Sequence, residues 1–148
     1  MGASRQFSES DKRRHFAVLS VKPRIHFGLN QRSKSSPKLM TFISDNLEEE
    51  LRIAAMFFFD EESNVRIDTG GYELHLSMIF KWYQSDFSPS VTKIPDINVQ
   101  YLTGIRKEKL QSMLDSWRSI KVSYQSYNWG FNASGSKTYK KQHQKGPK

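Results

Sequence analysis

A histidine followed by a serine-rich loop is the part of this sequence whose residue types could support catalysis. His26 could act as a general base, and the Ser36 hydroxyl could become a nucleophile if a base took its proton. Such chemistry also needs oxyanion donors and hydrogen-bond reach between the two side chains, which a sequence does not reveal. The alternative interpretation is that Ser33, Ser35 and Ser36 form an ordinary turn before Pro37, and that His26 makes a local hydrogen bond.

The segment Lys81–Phe87 combines aromatic and charged side chains and could line a ligand site. Its helical spacing favours a different interpretation, in which Trp82 and Tyr83 form a wedge in the hydrophobic core. On that interpretation Asp86 caps a helix or forms a local pair. We predict the core wedge.

The sequence contains no cysteine, which excludes disulfides, thiolate catalysis and cysteine-rich metal sites. Its four histidines lack metal-ligand spacing such as that of a His-Glu-x-x-His run. We therefore predict no metal site and no cofactor. His75 alternates with Leu74 and Leu76 and is expected to face solvent or the second face of a sheet.

The net charge of +8 is concentrated at the two ends of the chain. Residues 1–24 hold six Lys or Arg against two acidic residues, and residues 137–148 hold five Lys and no acid. The remaining residues, 25–136, hold twelve basic and thirteen acidic side chains, a net charge of −1. A nearly neutral body argues against a nucleic-acid platform on the folded part.

The same distribution predicts the domain boundaries. We expect a flexible basic arm at residues 1–14, a folded region at residues 15–134 and a disordered lysine-rich tail at residues 135–148. Lys137–Lys148 could make a weak contact with a polyanion. No apolar run approaches the roughly 18–20 residues of a membrane span, and a cytoplasmic location is predicted.

The elements that position the candidate residues follow from the apolar pattern. Arg24–Leu29 alternates polar and apolar side chains, which predicts a strand, and the polar stretch 30–38 predicts a loop. Asp45 with Glu48 resembles a capping box. Apolar residues then recur at helical spacing, which predicts a helix to about Phe59.

The second half of the chain continues with short elements. Two alternating runs around Asp68–Gly71 predict a β-hairpin, and a short helix is expected directly after its second strand. Leu110–Trp117 predicts another helix, and Ile120–Tyr124 a last strand. This order indicates an α+β fold, with a small, mostly antiparallel sheet packed with about three helices.

Three stretches and a closing segment, in this order, resemble the domain of unknown function 547 family. The stretches are Pro23–Leu29 with the loop end Ser36–Leu39, the acidic helix start Asp45–Leu51, and Leu76–Phe87, and the closing segment is Tyr124–Gly130. The resemblance runs over residues 16–132 and implies the C-terminal part of the family domain. The family-motif positions are Arg24, His26, Gln31, Ser36, Pro37, Lys81, Trp82, Tyr83, Asp86, Phe87, Tyr127 and Trp129.

Two departures from the family pattern bear on function. Members of the family usually carry cysteine at the place of Gln31, and often at the place of Ser36. The change at Gln31 matters more, because an amide neither attacks a carbonyl as a thiolate does nor binds a soft metal. The family domain also has an N-terminal half to which nothing here corresponds, and this implies a partial domain.

These observations predict a non-catalytic family member that acts as an interaction or scaffold module. We expect its partner to be another protein or the missing half of the domain. Two alternatives stay open at this point. One is a serine-dependent hydrolase or acyl-transfer enzyme that uses His26 and Ser36, and the other is nucleic-acid binding through the basic tails.

Overall fold

The computed structural model describes residues 7–16 and 22–132. Within these residues the chain forms a three-stranded sheet and five α-helices, which confirms the predicted α+β class. The strands are β1 (Val65–Asp68), β2 (Glu73–Leu76) and β3 (Lys121–Tyr124). The α-helices are α1 (Leu47–Asp60), α2 (Met78–Trp82), α3 (Gln84–Phe87), α4 (Ile94–Asn98) and α5 (Gly104–Leu114).

The sheet is mixed, with β2 in its centre. β1 and β2 form the predicted hairpin and run antiparallel, with Val65 opposite Leu76. β3 runs parallel to β2, with Leu74 opposite Val122. The parallel pairing follows from the connection, because the chain returns to β3 only after the crossover that contains α2 to α5.

The hairpin turn depends on the aspartate that ends β1. The Asp68 carboxylate accepts a hydrogen bond from the backbone N–H of Gly71 at 2.9 Å. This bond lowers the pKa of the Asp68 carboxyl. A Cβ atom at Gly71 would lie only 2.7 Å from Asp68 Oδ2, so glycine leaves room for the carboxylate. The predicted turn Asp68–Gly71 is therefore confirmed.

Helix α1 confirms the predicted amphipathic helix, but its start differs from the prediction. Ser44–Asn46 forms a 3-10 turn before the helix, and no side chain caps the helix at Asn46. Glu48 does not complete a capping box, because its carboxylate contacts Lys22 and Arg24 instead. The Lys22 ammonium, hydrogen-bonded to this carboxylate, and the nearby Arg24 guanidinium lower the pKa of Glu48.

The predicted strand at Arg24–Leu29 is wrong. Pro23–Phe27 is a 3-10 helix with proline in its first turn, where its fixed φ suits helical backbone. A strand would bury Ile25, Phe27 and Leu29 together, but only Phe27 is buried, and Leu29 is exposed. A short alternating run fits a 3-10 turn equally well when one of its side chains enters the core.

The buried core is dominated by aromatic rings that surround Phe27. Its ring centroid lies 4.9 Å from that of Phe58, 5.2 Å from Phe59 and 5.4 Å from Phe87. Phe80 and Phe59 are fully buried and complete the cluster, with centroids 5.8 Å apart. The 3-10 turn, α1, α2 and α3 therefore share one core, in which tilted and edge-on ring pairs are the favoured arrangements.

Arg106 of α5 joins three elements through backbone carbonyls. Its guanidinium donates to the Phe59 carbonyl at 2.6 Å and also to the Val65 carbonyl. These bonds satisfy a carbonyl in the last turn of α1 and another at the start of β1. One partly buried guanidinium thus fixes α5 against the junction between α1 and β1.

Several aromatic side chains lie at the surface where the sequence predicted a core. In α2 the buried residues are Ile79 and Phe80, while Trp82 is 41% exposed and Tyr83 is exposed to a similar extent. The predicted core wedge is therefore wrong. The helix predicted at Leu110–Trp117 ends at Leu114, and Trp117 lies beyond it, 94% exposed.

Parts of the predicted organisation lie outside the described residues. This applies to the tail at residues 135–148 and to much of the basic arm at residues 1–14, where the description begins at Phe7. Arg14–Phe16 forms a 3-10 turn. None of the helices in the described ranges is long and apolar enough to cross a membrane.

We predict that Phe27→Ala lowers the free energy of unfolding by about 3–5 kcal/mol, because it leaves a cavity among the core rings. Urea denaturation followed by circular dichroism measures this loss. Phe57→Ala is the matched control, since Phe57 lies in α1 beside the buried Phe58 but is 44% exposed. The control should cost less than about 1 kcal/mol, and equal losses would contradict the assignment of the core.

We predict that two tyrosine-to-phenylalanine substitutions differ in their effect on the free energy of unfolding. The Tyr72 hydroxyl donates to the Met113 carbonyl at 2.9 Å, so Tyr72→Phe should cost about 1 kcal/mol. The Tyr124 hydroxyl has no hydrogen-bond partner within residues 22–132, so Tyr124→Phe should cost nothing at neutral pH. Thermal melts at pH 7 distinguish the two variants.

The contribution of Tyr124 to stability also has a predicted pH dependence. Burial raises the pKa of the Tyr124 phenol, whereas in the unfolded chain a tyrosine ionises near pH 10. The stability that depends on the neutral Tyr124 phenol is therefore fully present below about pH 10 and is lost as the pH rises through the raised pKa. Melts between about pH 9 and 11 should show a smaller loss for Tyr124→Phe than for the wild type, and an identical loss would contradict this cause.

Candidate functional site

His26 is held by a carboxylate that lies far away in the sequence. Its Nε2 atom lies 2.8 Å from Asp86 Oδ2, and the histidine side chain is 13% exposed. The 3-10 turn Pro23–Phe27 supplies the histidine, and α3 supplies the aspartate. Asp86 therefore pairs across the fold, and the prediction that it caps or pairs locally missed its main partner.

Aromatic rings enclose the imidazole of His26. The Tyr83 ring stacks on it at a centroid distance of 4.1 Å and an interplanar angle of 21°. The Phe87 ring lies 5.4 Å away at 55°. Nδ1 is buried and has no hydrogen-bond partner in the described part of the chain. In a catalytic triad the aspartate bonds to one ring nitrogen of the histidine and the serine hydroxyl bonds to the other. Here Asp86 is bonded to Nε2, but no hydroxyl in the described residues bonds to Nδ1.

Ser36 lies in a separate hydrogen-bond network inside the loop. Its Oγ accepts from the backbone N–H of Gln31 at 3.0 Å and from that of Ser33 at 3.2 Å. It also lies 2.8 Å from Ser33 Oγ, and the Tyr127 hydroxyl is 3.4 Å away. A hydroxyl has one proton to donate and two lone pairs, so these contacts use its full capacity.

The structure therefore does not bring the two predicted catalytic candidates into hydrogen-bond contact. His26 bonds to Asp86, Ser36 bonds within its loop, and no hydrogen bond in residues 22–132 joins them. General-base activation of Ser36 by His26 would require a hydrogen bond of about 3 Å or one bridging water. Gln31 contributes its backbone N–H, and its side chain is exposed.

The predicted closing segment folds back over this loop. Ser33 and Phe131 form an isolated antiparallel bridge. Beside it, Lys34 N–H donates to the Gly130 carbonyl at 2.8 Å, and Asn132 N–H donates to the Arg32 carbonyl at 2.9 Å. The buried Ser33 hydroxyl bonds to the Tyr127 hydroxyl at 2.9 Å. The loop and the closing segment thus form one unit, although about 90 residues separate them.

Three exposed aromatic rings and one partly buried tyrosine lie together on this unit. We call the set the aromatic pad, and it consists of Trp82, Tyr127, Trp129 and Phe131. The Trp82 centroid lies 4.9 Å from that of Tyr127 and 5.5 Å from that of Trp129, and Tyr127 and Trp129 are 4.6 Å apart. Trp129 is 64% exposed and Phe131 is exposed to a similar extent. Clusters of this kind on a protein surface mark contact sites.

A second polar constellation was not predicted as a site. Ser123 Oγ lies 2.7 Å from His75 Nδ1, and Glu73 Oε1 lies 3.8 Å from the same nitrogen. A catalytic triad needs the serine on one ring nitrogen and the carboxylate on the other. Here both groups share Nδ1, so the histidine cannot pass a proton between them.

The strand register explains this cluster. His75 of β2 faces Ser123 of β3, and Glu73 faces Lys121. Glu73 also forms an ion pair with Lys121 at 3.5 Å. The pKa of Glu73 is lowered chiefly by the Ser123 hydroxyl and then by Lys121 and His75. These are cross-strand pairs of the kind that stabilise sheets. The register, which the sequence does not show, is what brings them together.

The described residues contain no group of three or more His, Asp or Glu side chains arranged to hold a metal ion. A concave surface with a volume of about 500 Å³ lies beside the loop. Lys34, Lys38 and Glu61 line it, and Lys38 pairs with Glu61 at 3.4 Å. Its charged groups are thus partly neutralised by each other.

Most of the family-motif positions meet in two neighbouring groups. One group contains His26, Tyr83, Asp86 and Phe87, and the other contains Gln31, Ser36, Trp82, Tyr127 and Trp129. The remaining positions lie apart from these contacts. Arg24 binds Glu48, Pro37 is buried in the loop, and Lys81 lies with its ammonium 5.7 Å from the Tyr124 ring centroid.

The chain matches the family described as "Protein of unknown function, DUF547" over residues 2–59. This confirms a resemblance to that family over the matched residues. The matched part holds His26, the serine-rich loop and nearly all of α1. The extension of the resemblance to Leu76–Phe87 and to the closing segment lies beyond the match and stays a prediction. No curated protein and no solved structure matches the chain.

We predict that His26 and Asp86 are energetically coupled. A double-mutant cycle with His26→Phe and Asp86→Ala should give a coupling energy of about 0.5–1 kcal/mol, because either change alone removes their hydrogen bond. His26→Phe keeps a ring against Tyr83. Urea denaturation of the four proteins supplies the values.

A second cycle serves as the control for this coupling. It pairs Asp86→Ala with His75→Phe, since His75 bonds to Ser123 and not to Asp86. The control cycle should be additive within about 0.5 kcal/mol. Additivity in the first cycle as well would show that the His26–Asp86 contact does not form in solution.

Proposed function

We propose that this protein is a non-catalytic interaction module of the DUF547 family, and that the aromatic pad is the surface that contacts its partner. The observation that carries the proposal is the exposure of Trp82, Trp129 and Phe131 beside a loop whose hydroxyl groups are bonded to one another. The family description assigns no activity.

The chemistry of the loop supports the non-catalytic part of the proposal. Ser36 has used its hydrogen-bonding capacity within the loop and toward Tyr127. A nucleophile needs a base on its hydroxyl and donors aimed at a developing oxyanion. The two backbone N–H groups of Gln31 and Ser33 point at Ser36 Oγ itself, so they fix the serine and are not free for a substrate oxygen.

The composition of the aromatic pad supports the interaction part. Tryptophan and tyrosine are enriched among the residues that contribute most to binding between proteins. The rings are also held in place before any partner arrives. Tyr127 is fixed by its hydroxyl to Ser33, and Trp82 and Trp129 stack at 30°. A preorganised surface loses less entropy when it binds than a mobile one.

Enzyme assays test the non-catalytic part. We expect the full chain to show no turnover above buffer on panels of ester, amide and peptide substrates. His26→Ala and Ser36→Ala are assayed in parallel as variants. Robust turnover that disappears in both variants, while their circular dichroism spectra stay native, would overturn the proposal in favour of a serine-dependent hydrolase.

A binding comparison tests the interaction part. The full chain is used to capture a partner from cells of its own source, and the purified partner is then titrated by calorimetry. We expect Trp129→Ser to weaken binding about 30-fold, as loss of a central aromatic contact does. Trp117→Ser is the matched control, since Trp117 is 94% exposed and lies outside the pad.

The control should leave the affinity unchanged. A partner whose binding is insensitive to Trp129→Ser, or equally sensitive to both substitutions, would refute the assignment of the contact surface to the pad. The unfolding midpoint of each variant is measured as well, so that a loss of binding is not confused with a loss of fold.

A further inference from the structure

We infer that the aromatic pad binds an acidic segment of a partner protein that also carries apolar side chains. This inference rests on the proposed function, in which the pad is the contact surface, and it adds the chemistry of the partner. It depends on the charges around the pad, on their pairing, and on the residues that follow the pad in the sequence.

Cationic side chains border the pad. The aliphatic part of Lys34 passes beside Gly130, with Cδ 3.7 Å from the position that a Cβ would take there. The Lys81 ammonium lies over the Tyr124 ring, and Lys81 directly precedes Trp82 in α2. At the other end, the Arg32 carbonyl pairs with Asn132 N–H, next to Phe131. The side chains of Lys34 and Lys81 therefore lie beside the aromatic surface, and the backbone of Arg32 runs next to Phe131.

These cations are not neutralised by an acidic side chain within the described residues. Lys34, Lys81 and Arg32 form no ion pair there. Glu61 is paired with Lys38 at 3.4 Å, and Asp86 lies 2.8 Å from His26, so Lys34 and Lys81 outnumber the unpaired carboxylate of Asp86. The edge of the pad thus has an excess of positive charge.

The sequence extends the same charge beyond the pad. Residues 125–132 carry no acidic or basic side chain, and residues 137–148 then carry five Lys and no acid. An acidic partner that packs against Trp129 would therefore meet positive charge at the edge of the pad. Complementary charge of this kind raises the association rate and selects the partner.

The charges also argue against two other occupants. A second copy of this chain would bring the same cations together, and that contact would be repulsive. A single-stranded nucleic acid needs a positively charged groove along its backbone, but residues 25–136 carry a net charge of −1. A peptide with a few carboxylates and apolar anchors requires only the local excess.

Fluorescence anisotropy with the full chain tests the inference. The probes are labelled peptides of about 15 residues, one that alternates Asp or Glu with Leu and Phe, and one with Asn and Gln at the acidic positions. An oligothymidylate of about 15 nucleotides is the third probe. We expect the acidic peptide to bind at least tenfold more tightly than the neutral peptide and than the oligonucleotide.

Substitutions locate the binding surface. We expect Trp129→Ser to weaken binding of the acidic peptide at least tenfold, and Trp117→Ser to leave it unchanged. The double substitution Lys34→Gln and Lys81→Gln should also weaken it. That variant should reduce the loss of affinity between about 50 and about 300 mM salt, because screening acts on the charges that were removed.

Four results would overturn the inference. These are equal binding of the acidic and neutral peptides, tighter binding of the oligonucleotide than of the acidic peptide, acidic-peptide binding that is insensitive to Trp129→Ser, and no binding of any probe. None of these four results by itself refutes the proposed function, which has its own test. A captured partner that depends on Trp129 but is not acidic would support the contact surface and refute only the acidic chemistry of the partner.

Discussion

The packing of Phe27 among the rings of α1, α2 and α3 is the interaction on which the rest of the structure depends. Because Phe27 is fixed between Phe58 and Phe87, its neighbour His26 is carried to the surface of α3 and meets Asp86. The next residues of the chain then start the serine-rich loop at a defined place. A hydrophobic constraint therefore sets the positions of the polar residues, and the hydrogen bonds follow from it.

The polar residues that suggest catalysis are each used to hold the structure together. Ser36 closes its own loop, His26 joins a 3-10 turn to α3, and His75 with Ser123 links two strands. The hydroxyls bond to neighbouring side chains or backbone, and each histidine uses one ring nitrogen while its other nitrogen is buried without a partner in the described residues. The exposed surface beside them is aromatic. This division between bonded hydroxyls and accessible rings is the basis of the proposed interaction role.

Local patterns predicted the elements that are determined by local physics. The apolar spacing predicted which face of α1 is buried, and Asp68–Gly71 predicted the hairpin turn. Both succeeded because periodicity and turn chemistry act within a few residues. The strand predicted at Arg24–Leu29 failed, since alternation over so few residues cannot separate a strand from a 3-10 turn. The core wedge at Trp82 and Tyr83 failed because burial on a short helix depends on what packs against it.

The sequence by itself determined the α+β class, the absence of thiol chemistry, the family likeness and the candidate residues His26 and Ser36. Only the tertiary structure decided that these two side chains have different partners, and that Tyr127 and Trp129 complete the loop. The reason is physical. Both decisions depend on contacts between segments about 60 to 90 residues apart, and such contacts are fixed by the packing of the whole core.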